Sequence, residues 1–383
     1  MEFLFKDEHR LFRKTVHEFV DKEIIPQAQA IDESGEFPKE LFKKMGAQGF
    51  YGLRYPEEYG GANADTFMFA ILCEELARGS MAVAASAMMQ SLMGTNFIYK
   101  FGTDEHRERL LKPAIQGEKM GCFAITEPGA GSDLGAMQTT AVKDGSEWVL
   151  NGTKTWITNG PLGDFFTVGA MTDKSKGFKG IDMFLVEAGT EGFTIGKEIH
   201  KLGVSGALST EISFSDCRIP EENLFGEVGQ GFENLGSILS EIRVMTGALS
   251  IGIARAALEQ AFNYAKEREA FGKPIIKFQA IQFKLASMAT ELEASKLMVY
   301  NTAWMLETGQ KCTMEAAMAK LFSSEMANRV ADEATRVFAS YGFSLEFPVQ
   351  RYFRDARFLL LGGGTSEILH SIISRELNNV KEF

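Results

Sequence analysis

The chain is poor in the residues that bind metals or cross-link small folds. Its 383 residues include four cysteines (Cys73, Cys122, Cys217 and Cys312) and five histidines. The cysteines are far apart with no C-x-x-C pair, and the histidines form no H-E-x-x-H cluster. A disulfide framework and the common zinc signatures are thereby excluded, no metal site is expected, and the thiols suit a reducing compartment. Positive charge is also scarce: 40 Lys+Arg against 51 Asp+Glu give a net charge of −11. Nucleic acid and anionic membranes are therefore not expected as partners. No apolar run reads as a membrane span. The first residues, MEFLFKDE, carry acids where a signal or transit peptide needs basic and apolar residues, so a cytoplasmic protein is expected.

What is present is enough apolar residue, 45% of the chain, for more than one core. Helical spacing predicts elements over Asp7–Ile31, Pro38–Gln48, Ala64–Arg78 and Thr103–Gln116. Between Gly121 and Gly229 the texture changes to short apolar or alternating runs separated by turns such as Asn151-Gly152, which reads as strands. Long helical periodicity returns over Ala248–Glu269, Phe278–Thr308, Met314–Tyr341 and Ser366–Asn379. The reading is an α+β chain of three domains. It has an N-terminal helical domain (1–119), a middle β-barrel or sandwich domain (120–229) and a C-terminal four-helix bundle (230–383).

Two glycine- and hydroxyl-rich segments stand out, read here as loops: Cys122–Asp133 (CFAITEPGAGSD) and Lys154–Gly160 (KTWITNG). Together they offer backbone N–H groups, the hydroxyls of Thr126, Ser132 and Thr158, and the Trp156 face. That set suits a planar redox heterocycle on a phosphate tail. The spacing G-x-G-x-x-x-G with no following βαβ unit is not a Rossmann fingerprint. Without its neighbours, Trp156 reads as a core residue of a strand.

Through TEPGAGSD and KTWITNG the chain resembles the acyl-CoA dehydrogenase family of flavoproteins, along its whole length. The resemblance implies FAD, with Phe123, Ile125 and Thr126 at the ring, Ser132 at the pyrophosphate and substrate, Trp156 over the ring and Thr158 at N5. It implies that Arg268, Phe271 and Gln279 reach the FAD of a neighbouring subunit in a homotetramer or homodimer. Arg336 and Ser340 replace the family's Gln and Gly in the turn serving the adenosine half, while Thr365 and Glu367 open the last helix beside FAD. The implied reaction oxidises an acyl-CoA thioester to its α,β-enoyl form and passes electrons to an electron-transfer flavoprotein. That chemistry needs a flavin, a carbonyl donor and a base near Cα.

The base is where the chain departs from the family. The glutamate of the family's E-G-T segment is Gly363 here, which keeps only a backbone donor. Some members carry the base instead just before an arginine at the start of the first C-terminal helix. Here that stretch is Ser240-Glu241-Ile242-Arg243, with Ile242 at the base position and Ser240 where an aspartate commonly holds the pantetheine arm. Ser240, Arg243 and Gly363 are the further substrate-binding candidates. Glu241 is expected to stand in as base, because a long side chain in a helix's first turn has some freedom to reach; the bland alternative is a glutamate complementing the helix dipole. Other readings keep the fold and change the chemistry, giving a desulfinase, a carrier-protein-linked acyl dehydrogenase, a flavin monooxygenase-like enzyme, or a silent FAD-binding scaffold.

Overall fold

The computed structural model describes residues 5–380; residues 1–4 and 381–383, the outer ends of the expected first and third domains, lie outside the described residues. The first domain is helical. Its elements are α1 (Asp7–Phe19), α2 (Ala28–Ser34), α3 (Lys39–Ala47), α4 (Thr66–Gly79), α5 (Met81–Met88), α6 (Asn96–Phe101), α7 (Asp104–His106) and α8 (Lys112–Ile115). Two expected helices are broken. Asp7–Ile31 passes through a π turn (Val20–Ile24) and a 3-10 turn (Ile25–Gln27) at Pro26, and Thr103–Gln116 is split by a π turn (Arg107–Leu111) before Pro113. In both, the ring removes the N–H that would continue the ladder. α4 starts where the Asp65 carboxylate accepts from the Met68 N–H at 2.9 Å.

Seven strands form the middle domain: β1 (Gly121–Ala124), β2 (Thr140–Asp144), β3 (Glu147–Thr158), β4 (Phe165–Met171), β5 (Ile181–Glu187), β6 (Phe193–Glu198) and β7 (Ser209–Pro220). Their order is β1-β4-β2-β3-β7-β6, with β5 antiparallel to β4. β1 and β4 are parallel, while β2–β3, β3–β7 and β6–β7 are antiparallel. Trp148, Leu150, Phe166, Val168, Phe184 and Ile212 belong to its separate core.

The third domain consists of α9 (Gly231–Glu267), a two-stranded ribbon β8 (Glu269–Ala270) and β9 (Lys273–Pro274), α10 (Gln279–Glu307), α11 (Thr313–Phe338), α12 (Val349–Leu361) and α13 (Ser366–Leu377). α9 begins seventeen residues earlier than its expected start at Ala248, because the polar face of its first turns masks the periodicity. It is also long and apolar enough to cross a bilayer, contrary to the reading of the sequence, but 78% of its apolar window is buried in the protein, as in a core helix.

α9 packs on α4 and so joins the two helical domains. At Gly252 a side-chain Cβ would lie 2.1 Å from the Glu74 carbonyl oxygen, so only glycine permits this approach. Around the crossing, Arg255 is shared between Glu74 (2.5 Å) and Glu75 (2.6 Å), and Tyr300 donates to Glu74 at 2.7 Å. This crossing lies in the C-terminal half of α9; in its N-terminal half Ile242 and Thr246 lie against the Gly363 turn that precedes α13.

Candidate active site

The two motifs read as loops are built differently. CFA lies in β1, and KTWIT is the end of β3, where the register with β7 shifts between Lys154 and Ile157. A bulge re-aims side chains. It holds Trp156 at φ 62° with 57% of its surface exposed, so the core reading of this indole is excluded. The Thr155 N–H donates to the Thr126 carbonyl at 2.9 Å and joins the motifs directly. Beneath them the Lys154 ammonium, fully buried, lies 2.8 Å from Glu127 Oε1. Glu127 also accepts from the Gln138 and Thr139 N–H groups at 2.7 and 2.9 Å. Burial pulls the Lys154 pKa down to about 8 against the opposing pull of Glu127.

On this frame Thr126 and Thr158 are half-buried and Ser132 is exposed, while the Phe123 ring is buried against Phe97 and leaves only its backbone to a ligand. A Cβ on Gly129 would meet nothing within 4 Å, and one on Gly131 only the Thr126 methyl at 3.9 Å. An exposed indole in a strained conformation, adjoining hydroxyls and an open glycine turn fit a flavin with its phosphates. Asn159, at φ 63°, donates to the Ser86 carbonyl at 3.1 Å and ties this surface to α5. There Ala84, Ala85 and Met88 are buried in the core.

The base region is clear. A Cβ on Gly363 would lie 3.6 Å from Ile242 Cγ2 and 3.0 Å from Thr246 Oγ1. The two positions at which the resemblance places a base therefore face each other, and glycine and isoleucine occupy them. Glu241 lies ten residues inside α9, not in its first turn, so the freedom expected of it is absent and the dipole reading fails as well. About 100° around the helix from Ile242, its carboxylate is held by Arg54. Arg54 also donates to Asn96 Oδ1 at 3.1 Å, and the two charged residues line a cavity of about 180 Å³ with Phe69, Val244 and Glu307.

Cations gather behind the Gly362–Gly364 turn. Lys320, fully buried on α11, donates to the Gly364 carbonyl at 2.7 Å, and burial lowers its pKa to about 8. Arg243 is 6% exposed and its Nε has no partner. Burial, then Arg375, lowers its pKa. Burial raises the Cys312 pKa, with Glu315 adding to the rise and Ser240 and Arg243 opposing it. Thr365 caps α13, and Glu367 is exposed beside it, its carboxyl held low by the helix-start N–H and the Thr365 hydroxyl.

Other expected cofactor residues lie at the surface. Arg336 pairs with Asp332 on its own helix at 2.8 Å, Ser340 and Gln279 are exposed, and Phe271 is 94% exposed. The Arg268 guanidinium lies 5.9 Å from the Tyr341 ring centroid and ties the two loops together. Sequence reasoning missed Arg54, Thr246, Lys320 and the Glu127–Lys154 pair. Lys320 did leave a signal, as a lysine among the small core-facing residues Ala316, Ala317, Ala319, Ser323 and Ser324.

Three family descriptions match in order: acyl-CoA dehydrogenase N-terminal domain (residues 6–118), middle domain (122–217) and C-terminal domain (229–378). The chain is 48% identical to a protein of Aromatoleum aromaticum named benzylmalonyl-CoA dehydrogenase, over 99% of this chain and 100% of that one. It is 41% identical to the Acetobacterium woodii protein named caffeyl-CoA reductase-Etf complex subunit CarC, over 97% and 98%. A solved chain, from work on the electron transferring flavoprotein of Acidaminococcus fermentans, superposes with a TM-score of 0.96 at 38% identity, covering 100% of both chains.

Proposed function

This chain belongs to the acyl-CoA dehydrogenase family, and from that premise we propose that it binds FAD and interconverts a CoA thioester with an aromatic β-substituent and its α,β-enoyl form. The observation that carries the reading is the single surface made where the Thr155 N–H meets the Thr126 carbonyl, with Trp156 exposed above it. Bound FAD supplies the hydride acceptor or donor at Cβ. Trp156 covers one ring face, Thr126 and Thr158 meet ring heteroatoms, and Ser132 meets the pyrophosphate. The Gly363 N–H polarises the thioester carbonyl, and Lys320 fixes that turn through Gly364.

An aromatic substrate is supported by two relatives' names, one carrying a benzyl group and the other caffeyl. Exchange of electrons with an electron-transfer flavoprotein is supported by the second name and by the origin of the solved chain. Assembly with further copies of the chain is supported by Phe271 and Phe343, each 94% exposed, in loops where Arg268 and Gln279 would meet a neighbour's FAD. We place the enzyme in the cytoplasm.

The test is anaerobic. Dithionite-reduced enzyme mixed with cinnamoyl-CoA regains the oxidised flavin spectrum if the reading is right. A spectrum that stays bleached with cinnamoyl-CoA and with aliphatic enoyl-CoAs, in protein that still binds FAD, leaves the scaffold reading in its place.

A further inference from the structure

Between β6 and β7 the chain runs through Leu202-Gly203-Val204-Ser205-Gly206, a turn that touches all three domains. A Cβ on Gly203 would lie 2.8 Å from the Arg354 carbonyl carbon of α12, and one on Gly206 would run into Ile31 Cγ2 of α2. Both glycines therefore serve close approach. The positive φ falls instead on Val204, at 56°, where a β-branched side chain is strained. Such a conformation persists where its surroundings enforce it. Val204 is buried, and its N–H donates to Asp355 Oδ1 at 2.6 Å. Burial pushes the Asp355 carboxyl up to about 6 against the pull of the Val204 N–H; Asp32 adds to the rise, and Arg351 and Arg354 oppose it. The group is ionised at neutral pH, so the bond to Val204 is charge-assisted. Arg354 adds a second hold, donating to the Leu202 carbonyl at 3.3 Å and to Asp32 Oδ1 at 3.1 Å.

The far end of this turn meets the strand that carries Trp156. The Ala207 N–H donates to the Val204 carbonyl at 3.1 Å, and the Lys201 ammonium donates to the Ala207 carbonyl at 2.8 Å. The next carbonyl, Leu208, accepts from the Asn159 N–H at 2.8 Å, and Thr158 pairs with Ser209 across β3 and β7. A short run of backbone thus joins Asp355 on α12 to the bulged end of β3. We propose that Asp355 is a positioning residue for the flavin: by holding Val204 in its strained turn it sets Leu208 against Asn159, and so places Trp156 and Thr158 at the ring. This rests on the flavin reading above and goes beyond it, because α12 carries none of the residues assigned to the ring.

The experiment separates holding the turn from merely filling space, and it reads the flavin without turnover. Asp355→Ala removes the acceptor, Val204 leaves its positive φ, and the visible absorption bands and midpoint potential of the bound flavin shift. Reoxidation of the dithionite-reduced enzyme by cinnamoyl-CoA slows by about 10- to 100-fold, as expected of a misplaced reacting geometry. Asp355→Asn, which keeps an oxygen acceptor, retains the wild-type spectrum. Val204→Gly combined with Asp355→Ala regains that spectrum, since glycine holds a positive φ unaided, even though the lost valine packing lowers the melting temperature. If Asp355→Ala does not fold, the double variant carries the test alone: a wild-type spectrum supports the role. An unshifted flavin in Asp355→Ala overturns the inference and leaves the flavin reading intact. So does a shift that glycine at 204 fails to reverse, because the aspartate then acts through packing. Wild-type protein that takes up no FAD overturns both.

Discussion

Lys154 and Glu127, twenty-seven residues apart and each inside one of the two motifs, form a buried ion pair at 2.8 Å. The pair pins the strand carrying Trp156 to the turn carrying Ser132. Losing one partner leaves an uncompensated buried charge, which costs about 3–5 kcal/mol. Lys154→Met is expected to lower the melting temperature and to purify with less than half of its FAD. Lys154→Met combined with Glu127→Gln recovers stability relative to the single variant, since the orphan charge is gone. A single variant with wild-type melting and full flavin content contradicts this role.

The Arg54–Glu241 pair makes a second prediction, about chemistry as well as stability. Arg54 is 16% exposed in its side chain and Glu241 24%, so each depends on the other. Glu241→Gln is expected to destabilise the protein, and a double-mutant cycle with Arg54→Met should return a coupling of about 1–3 kcal/mol. Flavin reduction by a substrate in Glu241→Gln should fall by less than about tenfold, because positioned bases are worth about 100- to 10,000-fold. A loss in that larger range returns the role of base to Glu241.

The family was legible because its motifs are local: TEPGAGSD and KTWITNG are short runs of residue types that can be recognised without knowing what packs behind them. Glu241 was misread for a reason of register. Its reach depended on where α9 starts, and the start at Gly231 is set by packing on β5 and the first domain rather than by the weak periodicity of Gly231–Leu239. The fate of its charge depended on Arg54, 187 residues away. The strand nature of Lys154–Thr158 was hidden for a similar reason, since a bulged strand loses its alternation where it is re-aimed. Lys320 was overlooked because a lysine on a helix is ordinarily solvated, and only its burial reveals the bond to Gly364.

Lys320 has a pH signature of a particular sign. Burial lowers its pKa to about 8, while in the unfolded chain it keeps its proton to about 10.4. Between these values the unfolded state binds more protons, so stability from this residue rises with pH across that window, and the penalty is fully present below it. Lys154, lowered to about 8 as well, titrates in the same range. Urea unfolding at pH 7.5 and 9.5 should therefore show a positive slope that Lys320→Met reduces without abolishing. Lys320→Met also frees the Gly364 carbonyl, so kcat should drop more than substrate affinity. An unchanged pH slope in this variant would mean that the ammonium is solvated.

The last prediction concerns the turn after α11, where the family's paired glycines are Ala339 and Ser340. Ala339 adopts φ 53° and ψ −129°, a conformation that glycine reaches freely and alanine only with strain. The chain has kept the backbone and lost the residue suited to it, so the adenosine-side loop retains its path at a cost in stability. Gly342, three residues on, shows why the path is kept: a Cβ there would come within 2.2 Å of the Thr335 carbonyl oxygen, so the turn folds back tightly on α11. Relief of the strain at 339 outweighs the extra chain entropy of glycine by about 1 kcal/mol. Ala339→Gly is accordingly expected to raise the melting temperature by about 1–3 °C while leaving FAD content at or above the wild-type level. A lower melting temperature would show that the alanine methyl makes a contact worth more than the strain it imposes.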